Sequence, residues 1–198
     1  MRTLFVGDVH GCSGELEELL SRAGADRVIL LGDLFTKGPD PAGVWDLIER
    51  CSAVSVLGNH DASVIRRHDR QKQVLAPEAA IAWLRTLPLT LSGPGWLAVH
   101  AGLHPTGGVA ETTAAIATTV RRWPDDSSEE NPFWWECYDG PGLVLYGHDA
   151  RRQLVDRRPQ TLGLDTGCVY GKRLTGYLLE ADTLLSVPAR AEYCPIRS

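Results

Sequence analysis

Gly7-Asp8-Val9-His10-Gly11, directly after the apolar run Thr3-Leu4-Phe5-Val6, is the stretch on which the fold turns. A strand-length hydrophobic run ending in a glycine turn that carries an aspartate and a histidine reads as a β-strand feeding a helix. The arrangement recurs. Gly32-Asp33 follows Val28-Ile29-Leu30-Leu31, and Gly58-Asn59-His60-Asp61 follows Val54-Ser55-Val56-Leu57. His100-Ala101-Gly102 follows Trp96-Leu97-Ala98-Val99, and Gly147-His148 follows Leu143-Val144-Leu145-Tyr146. Asp, His and Asn are all ligands for hard or borderline metal ions. They are expected at the ends of successive strands of one sheet, so the chain reads as built around a metal site.

Helices fill the intervals. One is expected over 15–22. A second opens at Asp40-Pro41, an N-cap followed by proline at the first helical position, with Val44, Leu47, Ile48 and Cys51 as its apolar stripe. The resulting βαβαβ pattern has right-handed crossovers, so its parallel strands end on one edge and Asp8, Asp33 and Asn59 converge there. The polar segment after Asp61 carries Arg66, Arg67, His68, Arg70 and Lys72 and reads as a helical insertion at about 62–95, beside the site. Beyond His100 a looser stretch runs to Pro132. Its acidic run Asp125-Asp126-Ser127-Ser128-Glu129-Glu130 reads as a mobile surface loop. The β-rich last third, with runs at 143–146, 161–164, 174–179 and 184–187, reads as a second, mixed or antiparallel sheet packed on the first.

With 198 residues, 43% of them hydrophobic and 23% charged, the chain fits a single soluble domain spanning 1–198. A net charge of -5 argues against a broad surface for nucleic acid or anionic lipid, while leaving room for a local basic pocket. No nucleic-acid or membrane partner is expected. Arg2 leads straight into the first strand, so no signal peptide is expected. Cys12, Cys51, Cys137, Cys168 and Cys194 are odd in number and contain no C-x-x-C pair, which suits reduced, inert thiols and a cytoplasmic location.

The ligand inventory fits two divalent ions. Asp8, His10 and Asp33 would hold the first, and Asp33, Asn59, His100 and His148 the second, with Asp33 bridging. Two ions roughly 3.5–4 Å apart suit hydrolysis of phosphate esters, because they generate hydroxide and stabilise both apical oxygens of an in-line displacement. Nitrogen and oxygen donors without thiolate point to Mn²⁺ first, with Fe or Zn²⁺ next, rather than Mg²⁺ alone or Ca²⁺.

Taken in order, GDVHG at 7–11, GDLFTKGP at 32–39, GNHD at 58–61, HAGL at 100–103 and YGH at 146–148 resemble the signature of calcineurin-like metallophosphoesterases. Leu164-Asp165-Thr166-Gly167-Cys168-Val169-Tyr170-Gly171 and Leu174-Thr175-Gly176 narrow the resemblance to one branch. That branch contains phosphoprotein phosphatases, bacterial and phage serine/threonine phosphatases, and bacterial symmetrical dinucleoside tetraphosphate hydrolases. The resemblance implies a four-layer α/β/β/α sandwich of two packed mixed sheets. It also implies direct attack of a metal-bridging hydroxide on phosphorus, with His60 as general acid and Asp61 holding the His60 imidazole in the right tautomer.

Departures from the pattern matter. Thr36-Lys37-Gly38 stands where many protein phosphatases have Asp-Arg-Gly, so an orienting carboxylate is missing and Lys37 contacts phosphate without the arginine fork. Leu57 stands where eukaryotic members carry an arginine. Another cation is therefore expected, from among Arg66, Arg67, Arg70, Arg151 and Arg152, each of which also reads as a solvated surface residue. His68 and His104 read as residues outside the site, Asp165 as a hydrogen-bonding residue of a turn behind it, and Phe133, Trp134 and Trp135 as packing of the second sheet ahead of stacking on a nucleobase.

The first functional expectation is a serine/threonine-type protein phosphatase acting on phosphomonoesters of a phosphoprotein. Symmetrical hydrolysis of a dinucleoside polyphosphate ranks second, because the chain has little spare length for a dinucleotide-binding cap; dual activity is compatible with the same centre. A non-catalytic metal-binding scaffold ranks last, since a scaffold has no need of a general acid.

Overall fold

The structure is a computed structural model that describes residues 1–70 and 76–195. The first strand β1 (Thr3–Val6), helix α1 (Ser13–Ala23), β2 (Arg27–Leu30), α2 (Pro41–Cys51) and the short β3 (Val54–Ser55) form the expected parallel βαβαβ unit. Asp40 caps α2 as its residue type predicts, its carboxylate accepting the Gly43 N–H at 2.9 Å. Helices α3 (Asn59–Asp69) and α4 (Glu78–Leu84) follow.

Strands β4 (Thr90–Gly93) and β5 (Trp96–Val99) start the second sheet. The segment 90–93, expected within the helical insertion, is thus a strand: Thr90, Leu91 and Ser92 pair antiparallel with the strand that leads to His100. The stretch read as a loose loop contains short helices α5 (Gly108–Glu111) and α6 (Ala114–Thr119), and α7 (Trp134–Cys137) comes after it. The acidic run itself lies at the surface without helix or strand. Strands β6 (Leu143–Tyr146), β7 (Val155–Arg157), β8 (Thr161–Gly163), β9 (Arg173–Leu178) and β10 (Thr183–Pro188) complete the chain.

Two corrections concern the sheets. The sheets run β10-β9-β1-β2-β3 and β4-β5-β6-β8-β7, so the last third does not form a sheet of its own. Its strands β9 and β10 close the first sheet, where β9 pairs antiparallel with β1, Phe5 facing Tyr177. The physical reason is the free edge that a βαβαβ unit leaves on β1, which β9 covers. Nor do the candidate ligands share one sheet: Asp8, Asp33 and Asn59 end strands of the first, and His100 and His148 end β5 and β6 of the second.

The inner strands β1, β6 and β8 are buried on both faces, and β1 and β6 accordingly read as continuous apolar runs, while β4, β7 and β10 at the sheet edges are partly exposed. The alternation is still present. Leu4, Val6, Val28 and Leu30 pack outward under α1 and α2. Phe5, Ile29, Leu31 and Val56 face Trp96, Ala98, Leu145, Leu162 and Leu164 between the sheets. Val99, Val144 and Tyr146 pack on the far side with Ala117 of α6 and Trp134 and Trp135 of α7. Three apolar layers between four structural layers make the expected helix/sheet/sheet/helix sandwich. Among the described residues no helix is long and apolar enough to cross a membrane, and all five cysteines are free.

Phe5 is central to the middle layer, fully buried and edge-to-face with Trp96 at 4.9 Å between ring centroids. Replacing it by alanine is predicted to cost about 3–5 kcal/mol, whereas loss of the exposed α2 cap in Asp40→Ala costs about 1 kcal/mol. Urea unfolding of the two variants should show that order.

Candidate metal centre

Glycines let the strand ends converge. A Cβ on Gly58 would sit 2.2 Å from the Asp33 Oδ1, and one on Gly147 would sit 2.1 Å from the Asp8 Oδ1. The glycines before Asn59 and His148 thus leave the space that another ligand's carboxylate fills. Three candidates, His10, Asp33 and His148, have positive φ values of 47°, 57° and 74°. Such backbones cost on the order of 1–3 kcal/mol each and persist only where the surroundings over-determine them.

All six sequence-predicted ligands meet. The Asp33 Oδ2 lies 3.6 Å from the His10 Nε2, its Oδ1 lies 3.5 Å from the His100 Nε2, and the Asp8 Oδ2 is 3.8 Å from the His10 Nε2. Asp33 therefore turns one oxygen toward each half of the cluster. The Asn59 Oδ1 stands 3.0 Å from the His100 Nε2 and 3.1 Å from the His148 Nδ1.

Outer hydrogen bonds define the histidine tautomers. The His100 Nδ1 is 2.7 Å from the Leu31 carbonyl and the His148 Nε2 is 3.2 Å from the Thr119 carbonyl. A carbonyl only accepts, so those nitrogens carry the protons and the other ring nitrogen of each presents its lone pair to the cluster. At His10, the Lys37 ammonium donates to Nε2 at 3.3 Å, which leaves Nδ1–H to donate to the Thr36 hydroxyl at 3.0 Å. Thr36 thus orients His10 by a hydroxyl where an orienting carboxylate was expected to be missing.

Electrostatics agree with a cation site. Burial, then Asp165 and Asp33, holds the Asp8 carboxyl well above its ordinary range, and burial pushes Asp33 up to about 7. Burial also holds the imidazoles of His10, His100 and His148 below theirs. Buried carboxylates without counter-charge and imidazole and amide lone pairs facing one another are the groups that divalent cations satisfy. The donor set has the makings of a centre for two divalent ions, with Asp33 common to a group with His10 and His60 and to a group with Asp8 and His100.

His60 stands at the edge of this cluster, its ring 5.1 Å from that of His10 and its Nε2 4.0 Å from the Asp33 Oδ2. Burial, then the Lys37 charge, lowers its pKa to about 4. Asp61 requires a correction. Its buried carboxylate accepts the N–H groups of Asp33 at 2.7 Å, Leu34 at 2.9 Å and Gly58 at 3.1 Å, and among the described residues it makes no bond to the His60 imidazole. Asp61 sits in the first turn of α3, where its oxygens reach the chain turns after β2 and β3; the His60 side chain leaves the helix in another direction. It is a positioning residue that ties those two ligand-bearing turns together.

A cleft of about 800 Å³ opens over the cluster, walled by Lys37, Arg67, Arg121, Arg122, Arg151 and Arg152. Of the cations sought from the sequence, Arg67, Arg151 and Arg152 line it. Arg66 and Arg70 are not among its lining residues, and Lys72 lies outside the described residues. Arg121 and Arg122 were missed, because an arginine pair between a short helix and a turn carries no motif. The Lys37 ammonium also donates to the Tyr170 hydroxyl at 2.8 Å. Phe133 lies in the cleft wall with the Arg122 and Arg152 guanidiniums 4.3 and 4.5 Å from its ring centre. Trp134 and Trp135 pack in the core. Asp165 accepts the Gly167 N–H at 3.1 Å, a turn-forming role. His68 and His104 pair with Glu78 and Glu111, away from the cluster.

Mn²⁺ at about 100 times its Kd should add about 2.7 kcal/mol to the unfolding free energy, read as a rise in melting temperature. Gly147→Ala, which displaces Asp8, should lose most of that rise, and Asp33→Asn nearly all of it. Asp61→Ala should lower the metal-free melting temperature itself, because three buried N–H groups lose a charged acceptor worth about 1.5–3 kcal/mol per bond.

Comparison with known proteins agrees with this geometry. A family model for calcineurin-like phosphoesterases matches residues 1–181. A symmetrical bis(5'-nucleosyl)-tetraphosphatase from Aromatoleum aromaticum is 30% identical, with 93% of this chain and 96% of the relative covered. An asymmetrical bis(5'-nucleosyl)-tetraphosphatase, PrpE, from a Geobacillus strain is 26% identical over 98% of this chain and 97% of its own. A crystal structure described as that of a putative diadenosine tetraphosphatase superposes with a TM-score of 0.88 at 35% identity, covering 95% of this chain and 93% of that one. The chain belongs to the calcineurin-like phosphoesterases and is a metal-dependent phosphoesterase.

Proposed function

We propose that this phosphoesterase hydrolyses dinucleoside tetraphosphates, cleaving them symmetrically to two nucleoside diphosphates. This reverses the order of the two sequence-based expectations, in which a protein phosphatase came first. The observation that carries the reading is the cationic cleft. On a chain of net charge -5, six cationic side chains gather around one opening, with Asp126, Glu129 and Asp149 also in its wall and Arg121 paired to Asp126 and Asp149. Arg67, Arg151 and Arg152 have no carboxylate partner among the described residues. A phosphoserine or phosphothreonine offers a single phosphate to such a wall, whereas a tetraphosphate chain offers several charges in series. The tetraphosphatase names of the relatives support the same choice.

Asp8, His10, Asp33, Asn59, His100 and His148 would hold two divalent ions, with Mn²⁺ the best match to a nitrogen and oxygen donor set. When bound, such ions supply a hydroxide nucleophile at neutral pH and neutralise phosphate charge. The chain's own residues do the rest. Lys37, anchored on Tyr170, and the cleft arginines draw the polyphosphate in and orient it. Thr36 and the carbonyls of Leu31 and Thr119 keep the three ligand imidazoles in the tautomers described.

His60 protonates the departing oxygen. It is neutral in the free protein, and the anionic substrate brings the negative charge that lets its imidazole take up a proton. Asp61 acts at a distance, by holding the Asp33 and Gly58 backbone in register.

The test compares Mn²⁺-loaded protein on diadenosine tetraphosphate and on a phosphothreonine peptide, with products identified by mass. ADP as the sole nucleotide product, formed faster than the peptide loses phosphate, is expected; faster peptide turnover would restore the phosphatase reading. In the same assay His60→Ala should retain metal and lose at least about 100-fold in turnover.

A further inference from the structure

Whatever leaves the reacting phosphorus must lie against His60, and His60 borders two cavities. One is the arginine-walled cleft. The other, about 340 Å³, is lined by Phe35, Thr36, Lys37, Gly38, His60, Ser63 and Arg67, and shares only Lys37, His60 and Arg67 with the first. Its size lies within the usual range of small-molecule sites.

Helix α3 forms one wall of this second cavity in an ordered way. His60, Ser63 and Arg67 stand at i, i+3 and i+7, so they share one face of the helix. At 1.5 Å per residue, Arg67 lies roughly 10 Å along the axis from His60, with the Ser63 hydroxyl between them. The face thus presents a proton donor, a neutral hydroxyl donor and a guanidinium in sequence. Arg67 is exposed and makes no ion pair among the described residues, unlike Arg85 nearby, which is committed to Asp69. Nothing in the fold of α3 requires a guanidinium there.

We propose that this arm receives the leaving half of the substrate, a nucleoside diphosphate, and that Arg67 is the residue that makes the enzyme prefer a leaving group carrying further phosphates over a simple alcohol or phenol. The inference rests on the polyphosphate reading above. In the step concerned, a water oxygen bonds to the second phosphorus and the bridge between the second and third phosphates breaks. The departing oxygen takes a proton on the His60 side. The departing diphosphate then lies along Ser63 and Arg67, while the retained half stays in the cleft with Arg121, Arg122, Arg151 and Arg152. Cationic groups on both sides of the centre, Arg67 on one and the four arginines on the other, suit a substrate that carries phosphates in both halves.

The experiment measures kcat/KM for diadenosine tetraphosphate and for p-nitrophenyl phosphate, whose leaving group carries no phosphate, in wild type, Arg67→Ala and Arg67→Lys. The ratio of the two values should fall at least tenfold in Arg67→Ala and recover in large part in Arg67→Lys. Melting temperature is followed in parallel and should stay within a degree or so of wild type, because the side chain has no structural partner. An unchanged ratio in Arg67→Ala, or an equal fall on both substrates, would overturn the role of Arg67 while leaving the tetraphosphatase reading intact. A wild type that cleaves p-nitrophenyl phosphate and leaves the dinucleotide untouched would overturn that reading, and this inference with it.

Discussion

The Asp33 carboxylate is the interaction on which the rest depends. It is buried at the end of β2, faces His10 with one oxygen and His100 with the other, and accepts the His60 N–H at 2.9 Å. Its own backbone is pinned by Asp61. A carboxylate in that position has no protein cation able to neutralise it fully: burial drives its pKa up, and Lys37 only partly opposes this. The two sheets, the glycine turns and the left-handed backbones at His10, Asp33 and His148 make sense together as the means of holding one under-compensated anion among neutral imidazoles.

Much of this was legible in the sequence, for a specific reason. Ligands at strand ends carry their own context, since an apolar run followed by Gly-Asp or Gly-Asn-His states both the element and the place where it stops. The convergence of the six candidate ligands was read that way. What sequence could not convey was partnership between distant strands. The runs at 174–179 and 184–187 look the same whether they extend the first sheet or the second, because an apolar run marks a strand without naming its neighbour. Strand β4 was absorbed into a helical insertion because it is short and interrupted by Ser92 and Gly93.

The residues that hold the candidate ligands in place were less legible still. Asp61 follows His60 directly, and adjacency suggested that it served the imidazole. On a helix, neighbours in sequence point about 100° apart, so the carboxylate reaches the backbone of the turn after β2 instead. Thr36 lacks the expected carboxylate yet meets His10 with a hydroxyl. Arg121 and Arg122 reach the cleft from a segment with no recognisable pattern, and only the folded chain brings them beside Arg151 and Arg152. Their convergence gives the cleft four arginines on a chain whose overall charge is negative.

The most direct test of the central claim is the stoichiometry and coupling of bound Mn²⁺, measured by elemental analysis and electron paramagnetic resonance on the same sample. Two ions per chain with the multiline spectrum of an exchange-coupled pair, reduced to isolated ions or none in Asp33→Asn, is the result that a bridging Asp33 predicts. A single uncoupled ion per wild-type chain at saturation would contradict it.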